Sequence, residues 1–241
     1  MTTTGRDEEK VVVIGGSSGI GRATSLMLAQ KGAHVTIAGR RRQPLEAVAS
    51  RADRIEVREL DLASEASLDV FAQELGCFDA LVISAGVRGV GKPFLDAPFS
   101  DMAAQIELRL TYTLRAVHRL APLLSPEGSI VLISGIAARR ALANAVALTV
   151  TNAGLEAAVL GLAKELAPVR VNAVSPGRLD TGYWDGLPEN LRQRMREDAA
   201  AKLPVRRIGT AEDVASAVCF LLGHSFITGT VLDCDGGMKL A

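Results

Sequence analysis

The sequence predicts a doubly wound α/β fold: one sheet of seven parallel strands with helices on both faces. Three observations predict it. Short β-branched runs alternate with longer Ala/Leu segments of helical period along all 241 residues. The composition is 48% hydrophobic but only 4% aromatic, which supplies the aliphatic filling that strands buried on both faces need. Val11-Val12-Val13-Ile14 runs directly into Gly15-Gly16-Ser17-Ser18-Gly19-Ile20-Gly21 and then an Ala/Leu segment, which is a strand, turn and helix in succession.

In chain order, the strands are expected at 11–15, 34–38, 55–60, 80–84, 128–134, 170–175 and 230–234. Each is a run of Val, Ile, Leu or Ala ended by Gly, Ser, Asp or Pro. Helices fall between them at 19–31, 45–51, 66–75, 100–124, 145–166, 189–202 and 211–222. Gly32 stops the first helix and Pro168 closes the fifth, while Thr210-Ala211-Glu212-Asp213 reads as a capping box that opens the last. No repeat, linker or low-complexity tract interrupts the series, so a single domain over 1–241 is expected. Residues 181–203 carry the only Trp and a charge-rich helix, the best candidate for a substrate lid.

Charge and cysteine usage narrow the function classes. Lys plus Arg and Asp plus Glu number 27 each, so no global field attracts nucleic acid or an acidic membrane surface, and neither partner is expected. The first ten residues are polar rather than signal-like, which points to the cytoplasm. Cys77, Cys219 and Cys234 are far apart in apolar or small-residue surroundings and read as buried inert thiols. His34, His118 and His224 have no metal-ligand spacing, so no metal is expected.

The glycine turn divides its work. Gly15 makes the tight exit from the strand, Gly19 lets backbone N–H groups approach a phosphate, and Gly21 allows close packing of helix on sheet. With the strand before it and the helix after, the turn marks a Rossmann-type dinucleotide site. The second strand ends in Ala38-Gly39-Arg40-Arg41-Arg42, with no carboxylate before Glu46. An arginine at the end of this strand suits a ribose 2′-phosphate, so Arg40 makes NADP(H) the expected cofactor over NAD(H).

From Lys10 to about Met238 these residues resemble the short-chain dehydrogenase/reductase (SDR) family in its compact form of roughly 250 residues. Gly15, Ser17, Ser18, Gly19, Ile20 and Gly21 match its glycine turn, with Ile14 in place of the usual Thr. Asp61 and Leu62 match the pair that holds the adenine ring. Ser84-Ala85-Gly86 stands where the family carries Asn-Ala-Gly. Pro176 and Gly177 end the matching sixth strand, and Thr181 takes the place that contacts the nicotinamide carboxamide. The resemblance implies NADP(H) binding and, commonly, a homotetramer.

Reducing a carbonyl develops an alkoxide, so a reductase needs a proton donor beside the nicotinamide. The family resemblance implies a Tyr for this, a Lys four residues on, a Ser and an Asn. Anchored on Ala153-Gly154, the corresponding positions are Leu148, Asn152, Gly135 and Arg109. The chain's two tyrosines, Tyr112 and Tyr183, are followed four residues later by Ala116 and Leu187, so no Tyr-x-x-x-Lys exists. Ser134, Asn144, Asn152 and Tyr183 are candidate substitute donors, and Arg109 could stabilise an oxyanion or simply sit on an exposed helix face. Leu148, Val150 and Gly135 would line an apolar site, and Arg139-Arg140 could hold an anion or belong to a solvated loop.

Two expectations follow. One is an atypical NADPH-dependent oxidoreductase acting on a hydrophobic, enolisable or quinonoid small molecule that needs no enzyme-borne acid. The other is a catalytically silent NADP(H)-binding sensor, or the silent subunit of a hetero-oligomer. The helix at 146–166 is apolar over more than one face, so a dimer or tetramer is expected.

Overall fold

The computed structural model describes residues 9–86, 92–180 and 188–241. The strands of its large sheet are β1 (Lys10–Ile14), β2 (His34–Gly39), β3 (Ile55–Glu59), β4 (Phe78–Ile83), β5 (Leu124–Ile133), β6 (Arg170–Pro176) and β9 (Val231–Cys234). All pair in parallel, in the order β3-β2-β1-β4-β5-β6-β9. Seven parallel strands were expected and seven are present, each within a few residues of its expected bounds. Hydrogen bonding decides the ends: β5 starts at Leu124 because Phe78 pairs with it, although Ser125-Pro126-Glu127 reads as a turn.

The chain leaves β1 towards β2 and β3 and later returns to lay β4 on β1's other side. That reversal opens a crevice at the carboxyl ends of β1 and β4, where this topology binds ligands. Helices cover both faces. On one, α1 (Gly19–Gln30), α2 (Arg42–Ala49) and α8 (Ala211–Gly223) bury Leu28, Leu45 and Val218 against Val13, Ile37 and Val82. On the other, α3 (Glu65–Leu75), α5 (Tyr112–Leu120) and α6 (Val146–Glu165) bury Phe71, Leu120 and Val159 against Ile14, Leu81 and Ile130. The capping box on α8 is present, with the Thr210 hydroxyl accepting from the Asp213 N–H at 3.3 Å and the Thr210 N–H donating to Asp213 at 2.8 Å.

Three details differ from expectation. The helix expected over 100–124 is α4 (Phe99–Ile106), a π-helical turn at Glu107–Thr111, then α5 and a 3₁₀ turn at Ala121–Leu123. Periodicity in the sequence cannot register the one-residue insertion that makes a π turn. A small parallel pair, β7 (Leu179–Asp180) with β8 (Gly209–Thr210), joins segments 30 residues apart and has no strand-like pattern. Cys77 is exposed and Cys234 half-buried, so only Cys219 is the buried thiol expected.

Candidate functional site

A continuous cleft of about 1540 Å³ runs along the carboxyl ends of the strands, larger than the roughly 300–1,000 Å³ of an ordinary single-ligand pocket. Its floor begins at the turn after β1. Gly15 has φ +88°, and a Cβ there would lie 2.8 Å from the backbone of Ser84 and Ala85. Gly21 packs the start of α1 on the turn so closely that a Cβ would sit 2.2 Å from the Gly15 carbonyl oxygen. Gly19, at φ +51°, has nothing within 4 Å of its Cβ position. Ser18 precedes α1 without capping it, and no acidic side chain occupies the helix's first turn. The first N–H groups of α1 are therefore free to meet an anion in the cleft, as a pyrophosphate requires.

Ser17, Ser18, Gly19 and Ile20 line this stretch. Beyond it, at the end of β2, Arg40 lines the cleft together with Arg22 and Arg41. Arg42, the third arginine of the run, is held instead by Glu46 at 2.8 Å. Sequence reasoning singled out Arg40 and missed Arg22, which lies on α1 and meets the others only through the fold. Asp61 and Leu62 wall the same end after β3; Asp61 Oδ1 accepts the Ala63 N–H at 3.0 Å, and Leu62 is buried.

Across β1 the cleft continues over Ser84, Ala85 and Gly86 to its inner end between the α4–α5 helix and α6. Here Arg109, Gly135, Leu148 and Asn152 come together, although they are spread over more than forty residues. Leu148 and Arg109 line the cleft, while Asn152 is 2% exposed and lies behind Arg109. Arg109 Nη2 donates to Asn152 Oδ1 at 3.0 Å. Gly135 makes room for this amide: a Cβ there would be 2.8 Å from Asn152 Nδ2. Burial lowers the Arg109 pKa, because desolvation disfavours the charged form.

The other residues expected here are placed as follows. Ser134 does not reach the cleft; its hydroxyl donates to Glu156 at 2.7 Å. Glu156 also binds Arg139 at 2.8 Å, and Arg139 binds Asp233 at 2.7 Å, so this arginine is neutralised within the fold. Arg140 donates to the Met238 carbonyl. Val150 faces outward at 45% exposure, and neither it nor Gly135 lines the cleft. Asn144 does, in a left-handed conformation at φ 60°. Pro176 and Gly177 lie behind the cleft, where a Cβ on Gly177 would be 2.7 Å from Asp235 Cα. Leu179 and Asp180 are the cleft residues of that strand end. Thr181 and Tyr183 lie outside the described residues. Of the expected lid, α7 (Glu189–Lys202) is described, and Arg192 and Arg196 line the cleft from it.

Residues 14–239 match the family model described as enoyl-(acyl carrier protein) reductase. The chain belongs to the short-chain dehydrogenase/reductase family. It is 35% identical over 242 residues to the 3-oxoacyl-[acyl-carrier-protein] reductase of Aquifex aeolicus, covering 94% of this chain and 96% of the relative. It is 34% identical over 243 residues to the cis-4-hydroxycyclohexanecarboxylate dehydrogenase of Sinomonas cyclohexanicum, covering 95% and 96%. A solved small-chain dehydrogenase in complex with NADPH superposes with a TM-score of 0.84 at 32% identity, covering 98% of this chain and 100% of the other. For an SDR chain, the signal that would have located Arg22 is helical: it lies one residue past Gly21, on the turn of α1 that faces the glycine loop.

Proposed function

We propose that this SDR protein is an NADP(H)-dependent oxidoreductase that reduces conjugated carbonyls or quinones, without a proton donor of its own. The reading is supported by the pairing of a glycine turn flanked by Arg22, Arg40 and Arg41 with a cleft that Leu148 and Arg109 also line. The free N–H groups of α1 and the vacancy at Gly19 suit the pyrophosphate, while Arg22, Arg40 and Arg41 suit a 2′-phosphate. Asp61 and Leu62 would hold the adenine end. NADPH, when bound, supplies the hydride.

Leu148 excludes water and offers no proton. A simple ketone would be left as an alkoxide there, and ~10²–10⁴-fold in rate would be missing without a positioned acid. A quinone or conjugated ketone avoids that cost, since its adduct spreads the negative charge through the π system. Arg109 stabilises the charge on oxygen electrostatically, with Asn144 available as a second donor. The product takes its proton from water after release.

Calorimetry with NADPH and NADH, followed by NADPH oxidation assays with a naphthoquinone and with cyclohexanone, tests the reading. Micromolar NADPH affinity and turnover of the quinone alone are expected. Binding without turnover of either carbonyl would refute the reductase and leave a silent NADPH-binding protein. We also infer a dimer or tetramer packed on α6, whose outer face leaves Val150 and Leu160 at 45% and 64% exposure.

A further inference from the structure

The inner end of the cleft holds a cation, Arg109, that has no counter-charge among the described residues. Arg109 sits on the π turn at Glu107–Thr111, and turns of this kind recur at functional sites. Among the described residues its hydrogen-bond partner is the neutral amide of Asn152, and no carboxylate lies within ion-pair reach. Its Nε is buried and has no partner.

The pair is nonetheless built with care. Gly86 vacates the space beside Arg109 Nη1, which a Cβ would approach to 3.1 Å, and Gly135 vacates the space beside Asn152. Leu110, the next residue of the turn, packs into the hollow at Gly154 and sets the approach of the two helices. Two other arginines of the cleft carry counter-charges: Arg196 is balanced by Asp180 at 2.7 Å, and Arg192 by Glu189 at 2.7 Å. A half-buried charge without a partner is costly, and burial already depresses the Arg109 pKa. Such an arrangement persists where a ligand supplies the missing charge. Leu108, Met102, Leu148 and Phe99 line the same cleft as Arg109.

We propose that the substrate is an organic anion with an apolar body and a carboxylate, whose charged oxygens are held by Arg109 while Asn152 fixes the guanidinium. This rests on the oxidoreductase reading and names the class of molecule that the same cleft accepts. The planar guanidinium offers parallel N–H groups, and a carboxylate presents two oxygens to match them.

The test compares 2-naphthoate with 2-naphthamide, which share a flat apolar body and differ in charge. Both are titrated calorimetrically into the protein, with and without saturating NADPH. We expect 2-naphthoate to bind at least about tenfold more tightly, as loss of charge-assisted hydrogen bonds predicts. Arg109→Gln should abolish the difference and Arg109→Lys should keep part of it, each variant being checked for a native melting temperature. Equal binding of the two probes to the unaltered protein would overturn the proposal, as would a difference that survives Arg109→Gln in a folded variant. Absence of NADPH binding would instead refute the oxidoreductase reading and leave the comparison of probes on the free protein readable.

Discussion

Asn152→Lys tests whether the inner end tolerates only one cation. Asn152 is 2% exposed and its Oδ1 accepts from Arg109 Nη2 at 3.0 Å. A lysine there loses that acceptor and brings an ammonium to roughly 4 Å from the guanidinium, where two like charges repel by about 4 kcal/mol at an effective dielectric of 20 and about 1 kcal/mol in water. The long lysine stem can bend its charge into the open cleft, so a destabilisation of ~2–3 kcal/mol is expected. For a chain of this length that lowers the melting temperature by roughly 4–12 °C. Adding Arg109→Asn to the lysine variant removes the repulsion and should restore most of the loss. Differential scanning calorimetry of the single and double variants at low and high salt reads the effect. A single variant that melts within a degree or two of the native protein would refute the electrostatic account, and so would a double variant that fails to recover.

Arg40→Asp should weaken NADPH binding far more than NADH binding, and equal losses in calorimetry would show that Arg40 does not read the 2′-phosphate. Gly135→Ala places a methyl 2.8 Å from Asn152 Nδ2, so ~1–3 kcal/mol of stability should be lost as the Asn152–Arg109 contact is displaced; a denaturant melt checks it. Arg207 donates to both oxygens of Asp213 at 2.6 Å and holds its pKa at about 2, below the usual 3.8. A lowered pKa gives stability that is present above about pH 4 and lost as pH falls towards 2. Because Asp213 and Arg207 are 31% and 58% exposed, screening reduces this contribution to about 1 kcal/mol, and the gap between native and Asp213→Asn melts should close between pH 5 and pH 2. Leu160→Arg should shift the sedimentation coefficient towards that of a monomer, whereas an unchanged assembly would place the interface elsewhere.

The sheet and the glycine turn were legible because they rest on local rules. Aliphatic runs of strand length can be buried only as strands between helices, and the spacing of Gly15, Gly19 and Gly21 reflects steric limits that act within a few residues. Strand ends, the β7–β8 pair and the π turn were not legible, since each depends on a hydrogen-bond partner supplied from elsewhere in the chain. The site divides the same way. The sequence by itself determined the doubly wound topology, the arginine after β2 and the absence of a Tyr-x-x-x-Lys pair. Only the tertiary structure decided that Arg22 and Arg41 join Arg40, that Ser134 is committed to Glu156, and that Arg109 reaches Asn152 across two helices. The physical reason is range: glycine geometry and hydrophobic period act along the chain, whereas the partner of a charged side chain is chosen by what the fold brings within about 3 Å of it.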